Sequence, residues 1–267
     1  MTDDDLDPDD LDSSERRLID PRSIPVRFSR LKQFARSPAH YFHACQERDT
    51  DTLSKRLGTF AHALVLGQPV APWTKRTAAG KSAGRTGKDW DAHKAANPGA
   101  VYPNPREHAE AAGMADAIRR HPIAWPMIAG SSLELELDWN FLGRACQSHL
   151  DVYRPGLLAD LKTADDGDPG RFPWTARRYH YVAQLACYTE AVESLGHATP
   201  EPYIILVESS APWPVTVLRV TERAMAAGRR QVRLWMEQLL VCEAAGEWPG
   251  YSQTIEPLDL IGEDDAP

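Results

Sequence analysis

The strongest constraint on the fold is a change in hydrophobic period at about residue 132. In the stretches 54–66 and 106–121, apolar residues recur every three or four positions, as in amphipathic helices. From Ser132 to Trp139 they alternate with polar residues, which is typical of a half-buried strand. Two turn signals follow, and the third strand of this set is expected over Leu157–Lys162. The sequence therefore predicts helices followed by three consecutive antiparallel strands.

The remaining pattern alternates helix and strand. A helix is predicted over Ala176–Leu195, strands over Pro202–Glu208 and Val215–Val220, and a last helix with Thr221 as its N-cap. Near the N-terminus, Ser37-Pro38 indicates a helix start. This order favours an α/β fold, in which helices flank a central mixed β-sheet and further helices precede it.

The charge is divided unevenly along the chain. Residues 1–12 hold seven aspartates and no base, and residues 254–267 hold five acids and no base. The part between them is mildly basic, although the whole chain carries −8. We expect disordered acidic tails at 1–27 and 254–267, with a single domain over 28–253. Alternatively, the tails mimic a nucleic acid and compete for the surface of the domain.

A glycine- and proline-rich basic segment spans residues 67–106. It is expected to be mobile, with one helical piece around Trp90. The segment is either a solvated loop or a flap over a polyanion. In the second case, five cations are candidates for contacts with a nucleic-acid backbone: Lys75, Arg76, Lys81, Arg85 and Lys88.

Several protein classes are excluded. The N-terminus has no secretory signal pattern, and no apolar run approaches the roughly 20 residues of a membrane span. The four cysteines are widely spaced and form no CxxC pair, which disfavours a disulfide scaffold, a zinc site or an iron–sulfur site. We therefore expect a reduced, cytoplasmic protein.

The third strand carries two charged residues in an apolar setting. Asp160 and Lys162 point to the same face as Leu158, because side chains alternate along a strand. Burying charge is costly unless the charge is paired or binds a metal. An acid two residues before a lysine is expected about once by chance in a chain of this composition, so only its context is informative. A salt bridge across the face is the alternative to a catalytic role.

That context is a convergence of carboxylates. Asp151 ends the preceding strand, and the turn between the two strands brings it near Asp160. Glu134 and Glu136 lie on the polar face of the strand before that. Oxygen ligands of this kind suit Mg²⁺ or Mn²⁺, and a neighbouring Lys162 could orient a metal-bound water. The sequence therefore predicts a metal-dependent hydrolytic site on three adjacent strands.

The arrangement Asp151…Asp160-Leu161-Lys162 resembles the active-site signature of PD-(D/E)XK nucleases, whose core is restriction-endonuclease-like. More specifically, the chain resembles the nuclease domain of exodeoxyribonuclease VIII (RecE-type), a relative of phage lambda exonuclease. Five ordered stretches within about residues 28–210 carry this resemblance. They are 31–34 with 37–41, 57–64, 134–137, 146–151, and 160–163 with Gln184 and Tyr188.

The resemblance implies a role for each matching residue. Asp151 and Asp160 would bind the metal together with the Leu161 carbonyl, and Lys162 would position the attacking water. Glu134 would be the auxiliary acid, although Glu136 could replace it. Three further residues match family positions near the metal: Gln184 and Tyr188 on one helix, and His62 on another.

The function that the resemblance implies is a Mg²⁺-dependent deoxyribonuclease, with Mn²⁺ able to substitute. It would digest double-stranded DNA from its ends, 5′ to 3′, in phage-type recombination or repair. A ring-shaped homo-oligomer and a single-strand annealing protein as partner are implied as well. Three alternatives remain open: an endonuclease or single-strand nuclease of the same fold, a non-catalytic DNA-binding module, and an interaction protein acting through its acidic tails.

Overall fold

A computed structural model describes residues 18–47, 53–77, 79–81 and 83–258. Most of the two predicted acidic tails, residues 1–17 and 259–267, lies outside the described residues. Within residues 18–27, which were predicted to belong to the disordered tail, Pro21–Ser23 form a 3₁₀ turn in which Pro21 is buried. Val26 is buried and its backbone pairs with that of Cys146, because its amide donates to the Ala145 carbonyl at 2.9 Å.

The described residues form nine α-helices and a single five-stranded sheet. The strands lie in chain order across the sheet, and β3 and β4 are parallel whereas all other neighbours are antiparallel. This confirms the predicted mixed sheet with flanking helices. The strands are β1 Ser132–Phe141, β2 Arg144–Arg154, β3 Leu157–Ala164, β4 Glu201–Glu208 and β5 Val215–Arg219.

The helices cover both faces of the sheet. None of them, within the described part of the chain, is long and apolar enough to cross a membrane. All four cysteines are buried and free. The helices are α1 Phe28–Leu31, α2 Pro38–Gln46, α3 Leu53–Leu66, α4 Lys88–Ala96, α5 Pro105–Arg120, α6 Ala124–Ile128, α7 Phe172–Arg178, α8 Tyr181–Ser194 and α9 Glu222–Ala245.

Strand β3 is buried between two hydrophobic cores. Leu158 packs into a core with residues of α8 and α9, such as Leu185 and Leu239. Ala159 and Leu161, which point the other way, pack with residues of α3 and α5. The alternation predicted for β3 is therefore correct: Asp160 is buried, and Lys162, on the same face, is partly buried with 16% of its side chain exposed.

The predicted helix over 176–195 is two helices. The break lies at His180, which adopts the left-handed conformation (φ 60°, ψ 34°) and separates α7 from α8. The His180 ring contacts the Trp235 ring edge-on, with centroids 5.1 Å apart. The sequence does not signal this break, because the left-handed region usually indicates Gly or Asn.

The basic segment 67–106 is anchored to the domain. Its predicted helical piece is α4, and the buried Trp73 packs against Trp90 and His93. Arg85 forms an ion pair with the buried Glu107 of α5. The aromatic contacts lie within the segment, and the Arg85–Glu107 ion pair attaches the segment to α5.

The contact between α8 and α9 yields a stability prediction. A Cβ at Gly228 would lie 2.8 Å from the Val182 carbonyl oxygen and 3.0 Å from the Ala186 Cβ. Gly228→Ala is therefore expected to destabilise the fold by about 1–3 kcal/mol through overpacking, although Ala is the better helix former. Urea unfolding measures this change. Ala227→Gly, at the exposed neighbouring position, is the control and measures how much helix propensity alone changes the free energy of unfolding. A Gly228→Ala protein that is more stable than wild type would contradict the prediction.

Candidate active site

The candidate site lies where β2 and β3 separate. Their ladder ends at the pair Val152 and Ala159, so Asp151 and Asp160 follow on diverging strands. The Asp151 carboxylate fills part of the gap, since its Oδ2 accepts a 2.7 Å hydrogen bond from the Leu161 amide. Where the strands separate, the Leu161 amide therefore donates its hydrogen bond to a side-chain oxygen, and not to a backbone carbonyl of β2 as in a continuous ladder.

Strand β1 brings a second carboxylate to this point. The residues on either side of Glu134 pair with Val152 and Leu150, so Glu134 lies opposite Asp151. Glu134 has a φ of 51°, a conformation that non-glycine residues adopt rarely and at an energetic cost. The register and this local distortion place the two acids side by side.

Glu136, the alternative acid, lies away from this point. It is opposite His149, whose Nε2 lies 3.7 Å from its Oε1. Its carboxylate also accepts a hydrogen bond from Gln147, and half of the side chain is exposed. The structure therefore pairs Glu134, and not Glu136, with Asp151.

Helix α3 approaches β3 closely enough to add a histidine. A Cβ at Gly58 would lie only 2.9 Å from the Thr163 Oγ1, so this approach depends on glycine. One turn later, the Nδ1 of His62 lies 3.9 Å from the Oδ2 of Asp151. Burial and then the Lys162 ammonium lower the pKa of His62 to about 4. The ring is therefore neutral at pH 7 and can offer a lone pair to a metal.

Three side chains form a candidate metal-binding cluster. His62, Glu134 and Asp151 can each offer one ligand atom, and these atoms all lie within 4.8 Å of one another. It is the one such group of three among the described residues. The backbone of Leu161, which hydrogen-bonds to the ring of His62, borders the same space. This mainly oxygen donor set fits a hard divalent cation.

The two acids of the cluster destabilise each other in the absence of a cation. Burial and then the Asp151 carboxylate raise the pKa of Glu134 to about 7, against the opposing effect of a hydrogen bond from Gln68. Burial also raises the pKa of Asp151, although Lys162 and the Leu161 amide act in the opposite direction. A bound divalent cation would relieve this crowding of negative charge.

Asp160 and Lys162 form a buried ion pair next to the cluster. The Lys162 Nζ lies 2.5 Å from the Asp160 Oδ2, and Asp160 is 1% exposed. Burial acts to lower the pKa of Lys162, but Asp160 and Asp151 outweigh it and the pKa is raised. The ammonium is thus retained inside the protein. Asp160, expected as a metal ligand, is not part of the three-residue cluster, since its carboxylate faces Lys162.

Gln184 and Tyr188 lie behind Asp160. The Gln184 Nε2 donates a 2.9 Å hydrogen bond to the Tyr188 hydroxyl. Burial and then the Asp160 carboxylate raise the pKa of Tyr188 well above its ordinary value. Tyr188 is buried in the core, as the apolar stripe of its helix predicts. The structure therefore brings both residues of the predicted helix motif to the site, on its buried side.

The site opens into a cleft of about 960 Å³. Some of its lining was not predicted as functional. The Tyr181 ring lies 4.9 Å from the Lys162 Nζ. Tyr181 precedes Gln184 by about one helical turn on the same helix, and this spacing could have identified it as a site residue. Nothing in the sequence marks Gln68 as a site residue, since it lies in the loop after the end of α3 and outside the helical pattern. The unpredicted lining residues with polar groups include Lys32, Gln68, Arg178, Tyr179 and Tyr181.

The five predicted nucleic-acid contacts are not among the residues that line the cleft. Lys75 is paired with Asp89 and Arg85 with Glu107. Arg76 donates a 2.8 Å hydrogen bond to the Gly80 carbonyl. Lys81 and Lys88 are exposed. Three of the five cations thus already have intramolecular partners, and the cations that line the cleft are Lys32, Lys162 and Arg178.

Comparison with known proteins agrees with this geometry. A family model described as a PDDEXK-like domain of unknown function (DUF3799) matches residues 27–260. A solved structure from Eubacterium rectale, described as a putative exonuclease, has a TM-score of 0.62 at 16% identity and covers 88% of this chain and 91% of its own. At this identity the likeness shows the fold alone. The crystal structure of SSO0001 matches 50% of this chain and 69% of its own at 13% identity. Its TM-score of 0.27 is too low to support a conclusion about the fold. No curated protein matches the sequence.

The raised pKa of Glu134 predicts a pH-dependent stability change in metal-free protein. Because the folded pKa, about 7, exceeds the ordinary 4.5, the native state loses stability as the pH rises through this window. Glu134→Gln removes that penalty. It should stabilise the protein at pH 8 by about 1–2 kcal/mol, allowing for solvent screening, and have little effect below pH 4.5.

Urea unfolding in EDTA at the two pH values tests this expectation. Glu136→Gln, on the same face of β1 but half exposed, is the matched control and should change stability little at either pH. A Glu134→Gln effect that is equal at both pH values would show that the charge of Glu134 is not the cause.

Proposed function

The chain belongs to the family of PDDEXK-like domains, and on this basis we propose that it is a metal-dependent nuclease that hydrolyses DNA phosphodiester bonds. The resemblance to PD-(D/E)XK nucleases that the sequence predicted is confirmed by this membership. Nucleases with this signature use divalent metals. The proposal goes further in naming Mg²⁺, with Mn²⁺ able to substitute, and DNA as the substrate.

The observation that carries the proposal is the juxtaposition of the cluster with a buried lysine. His62, Glu134 and Asp151 converge where β2 and β3 part, and Lys162 is held next to them. An ion pair between Asp160 and Lys162 would suffice for a purely structural role. It does not explain two further acids with raised pKa values in an open cleft. Strained and perturbed groups of this kind concentrate at catalytic sites.

The residues divide into those that would hold the metal and those that would act on the substrate. Asp151, Glu134, His62 and the Leu161 carbonyl would hold the cation. When bound, it supplies Lewis-acid stabilisation of the phosphate and lowers the pKa of a water molecule. Lys162, the cation held next to the cluster by Asp160, would orient the attacking water and stabilise the negative charge that develops on the phosphate.

Three other residues would position Lys162. Asp160 pairs with its ammonium, so we assign Asp160 to this role, whereas its predicted role as a metal ligand remains a hypothesis. Gln184 and Tyr188 are hydrogen-bonded to each other, and the Asp160 carboxylate is close enough to Tyr188 to contribute to its raised pKa, so we assign this pair a supporting role beside Asp160. These three residues would not contact the reacting phosphate. Their loss should reduce the rate by displacing Lys162.

The finer features of the activity come from the family resemblance. We propose an exonuclease that acts on double-stranded DNA ends, 5′ to 3′, in phage-type recombination or repair. The similarity in fold to a structure described as a putative exonuclease is compatible with this. A homo-oligomeric ring and a single-strand annealing partner belong to the same proposal. An endonuclease or single-strand nuclease with this site is the second candidate.

Digestion of matched linear and covalently closed circular duplex DNA tests the proposed function. The wild-type protein should degrade only the linear form, in Mg²⁺ and not in EDTA. Lys162→Ala should reduce the rate at least about 100-fold, because it removes the group that orients the water. Cleavage of circular DNA would favour the endonuclease. If folded wild-type protein cleaves neither form in Mg²⁺ or Mn²⁺, the proposed nuclease activity is wrong.

Metal binding can be tested separately from catalysis. Ligands that bind only the native state raise the melting temperature, so Mg²⁺ and Mn²⁺ should stabilise the wild type by several degrees. Glu134→Gln should abolish most of this shift, whereas Glu136→Gln should retain it because Glu136 lies opposite His149. Differential scanning fluorimetry at pH 8 measures both. Equal shifts in the two variants would exclude Glu134 as a ligand.

A further inference from the structure

A strained residue brings two tyrosines together beside the site. His180 is held in the left-handed region between α7 and α8, a conformation that is energetically unfavourable for a non-glycine residue. Its ring is fixed against Trp235. The bend stacks the rings of Tyr179 and Tyr181, whose centroids are 5.7 Å apart at an interplanar angle of 21°. A regular helix would point residues two positions apart to different sides.

The stacked tyrosines extend from the protein interior to the cleft. Tyr181 packs nearly parallel to the buried Phe172, with centroids 6.0 Å apart, and its ring lies 4.9 Å from the Lys162 Nζ. Tyr179 continues the stack outward and is 46% exposed. Both tyrosines line the same cleft as Asp151. An exposed aromatic ring at the mouth of a polar cleft contributes little to folding but presents a flat apolar surface.

The surroundings of Tyr179 suit a nucleotide. The Cζ of the exposed Arg178 lies 5.6 Å from the Tyr179 ring centroid, so a cation accompanies the aromatic surface. Lys32 also lines this cleft. Arg178 is a flexible side chain that an entering base could displace towards a neighbouring phosphate. An aromatic face beside cations is the combination that binds single-stranded nucleic acids.

We propose that the Tyr179 ring is a stacking subsite for one unpaired nucleobase of the strand whose phosphate lies at Lys162. This inference rests on the proposed nuclease function and deepens it by naming the state of the substrate. Within a duplex, both faces of a base are covered by neighbouring bases. Only a terminal, frayed or single-stranded nucleotide can therefore offer a face to Tyr179.

The experiment is a double-mutant cycle between the ring and the base. The DNA is a short single strand with phosphorothioate linkages, which keep it intact in Mg²⁺, and one abasic nucleotide is placed at each position in turn. At one position, removal of the base should weaken binding to wild type about tenfold. Tyr179→Ala should weaken binding to intact DNA by a similar factor and be insensitive to removal of that base.

Two variants separate stacking from a structural effect. Tyr179→Phe keeps the ring and should behave as wild type. Tyr251→Ala removes an exposed tyrosine that contacts His40 on another surface and should retain both the affinity and the sensitivity to base removal. Circular dichroism melting confirms that each variant is folded.

The possible results distinguish the two proposals. If Tyr179→Ala weakens binding equally with and without each base, or has no effect, the stacking subsite is wrong even when the wild type cleaves DNA. If the wild type neither binds nor cleaves DNA in Mg²⁺, the proposed function fails and the subsite fails with it. Coupling of Tyr179 to one base position, retained in Tyr179→Phe, supports the subsite.

Discussion

The geometry of the candidate site depends on the ion pair between Asp160 and Lys162 in the central strand of the sheet. A charged residue inside a protein costs several kcal/mol unless a partner compensates it. Here each charge is the partner of the other, at 2.5 Å. Replacing the pair with apolar residues of similar size would be expected to preserve the fold. The pair is therefore better explained by what Lys162 can do at the edge of a cleft than by its contribution to stability.

Two departures from regular backbone geometry occur at the ends of this arrangement. Glu134 has a positive φ inside β1, and His180 has one between α7 and α8. The first stands beside Asp151 and the second supports the tyrosines next to Lys162. Neither is a glycine, so each carries strain that the surrounding packing must offset. Leu142 and Trp213 also have a positive φ and do not line the cleft, so it is the contacts of Glu134 and His180, and not strain alone, that connect these two residues with the site.

The sequence predicts those parts of the site that follow from strand periodicity. Asp160 and Lys162 share a face by alternation, and the short turn brings Asp151 near them. Alternation cannot separate Glu134 from Glu136, because both lie on one face and only the register of the hairpin distinguishes them. The roles of Tyr179 and Tyr181 depend on the left-handed His180, which helical periodicity hides. The partners of the cations in the basic segment could not be predicted either, because the acid paired with Arg85 is Glu107, which lies 22 residues away on α5.

The charges of the cleft suggest an order of binding. Its lining includes the cations Lys32, Lys162 and Arg178, but also four carboxylates: Glu134, Asp151, Asp165 and Asp166. A polyanion that approaches the metal-free cleft therefore meets little net attraction, and the two acids nearest the strand gap repel it directly. A divalent cation held by these acids reverses the local sign and gives a phosphate a place beside Lys162. If the proposed function is correct, the cation that supplies the chemistry would also admit the substrate, and the charge of the cleft would link DNA binding to metal binding.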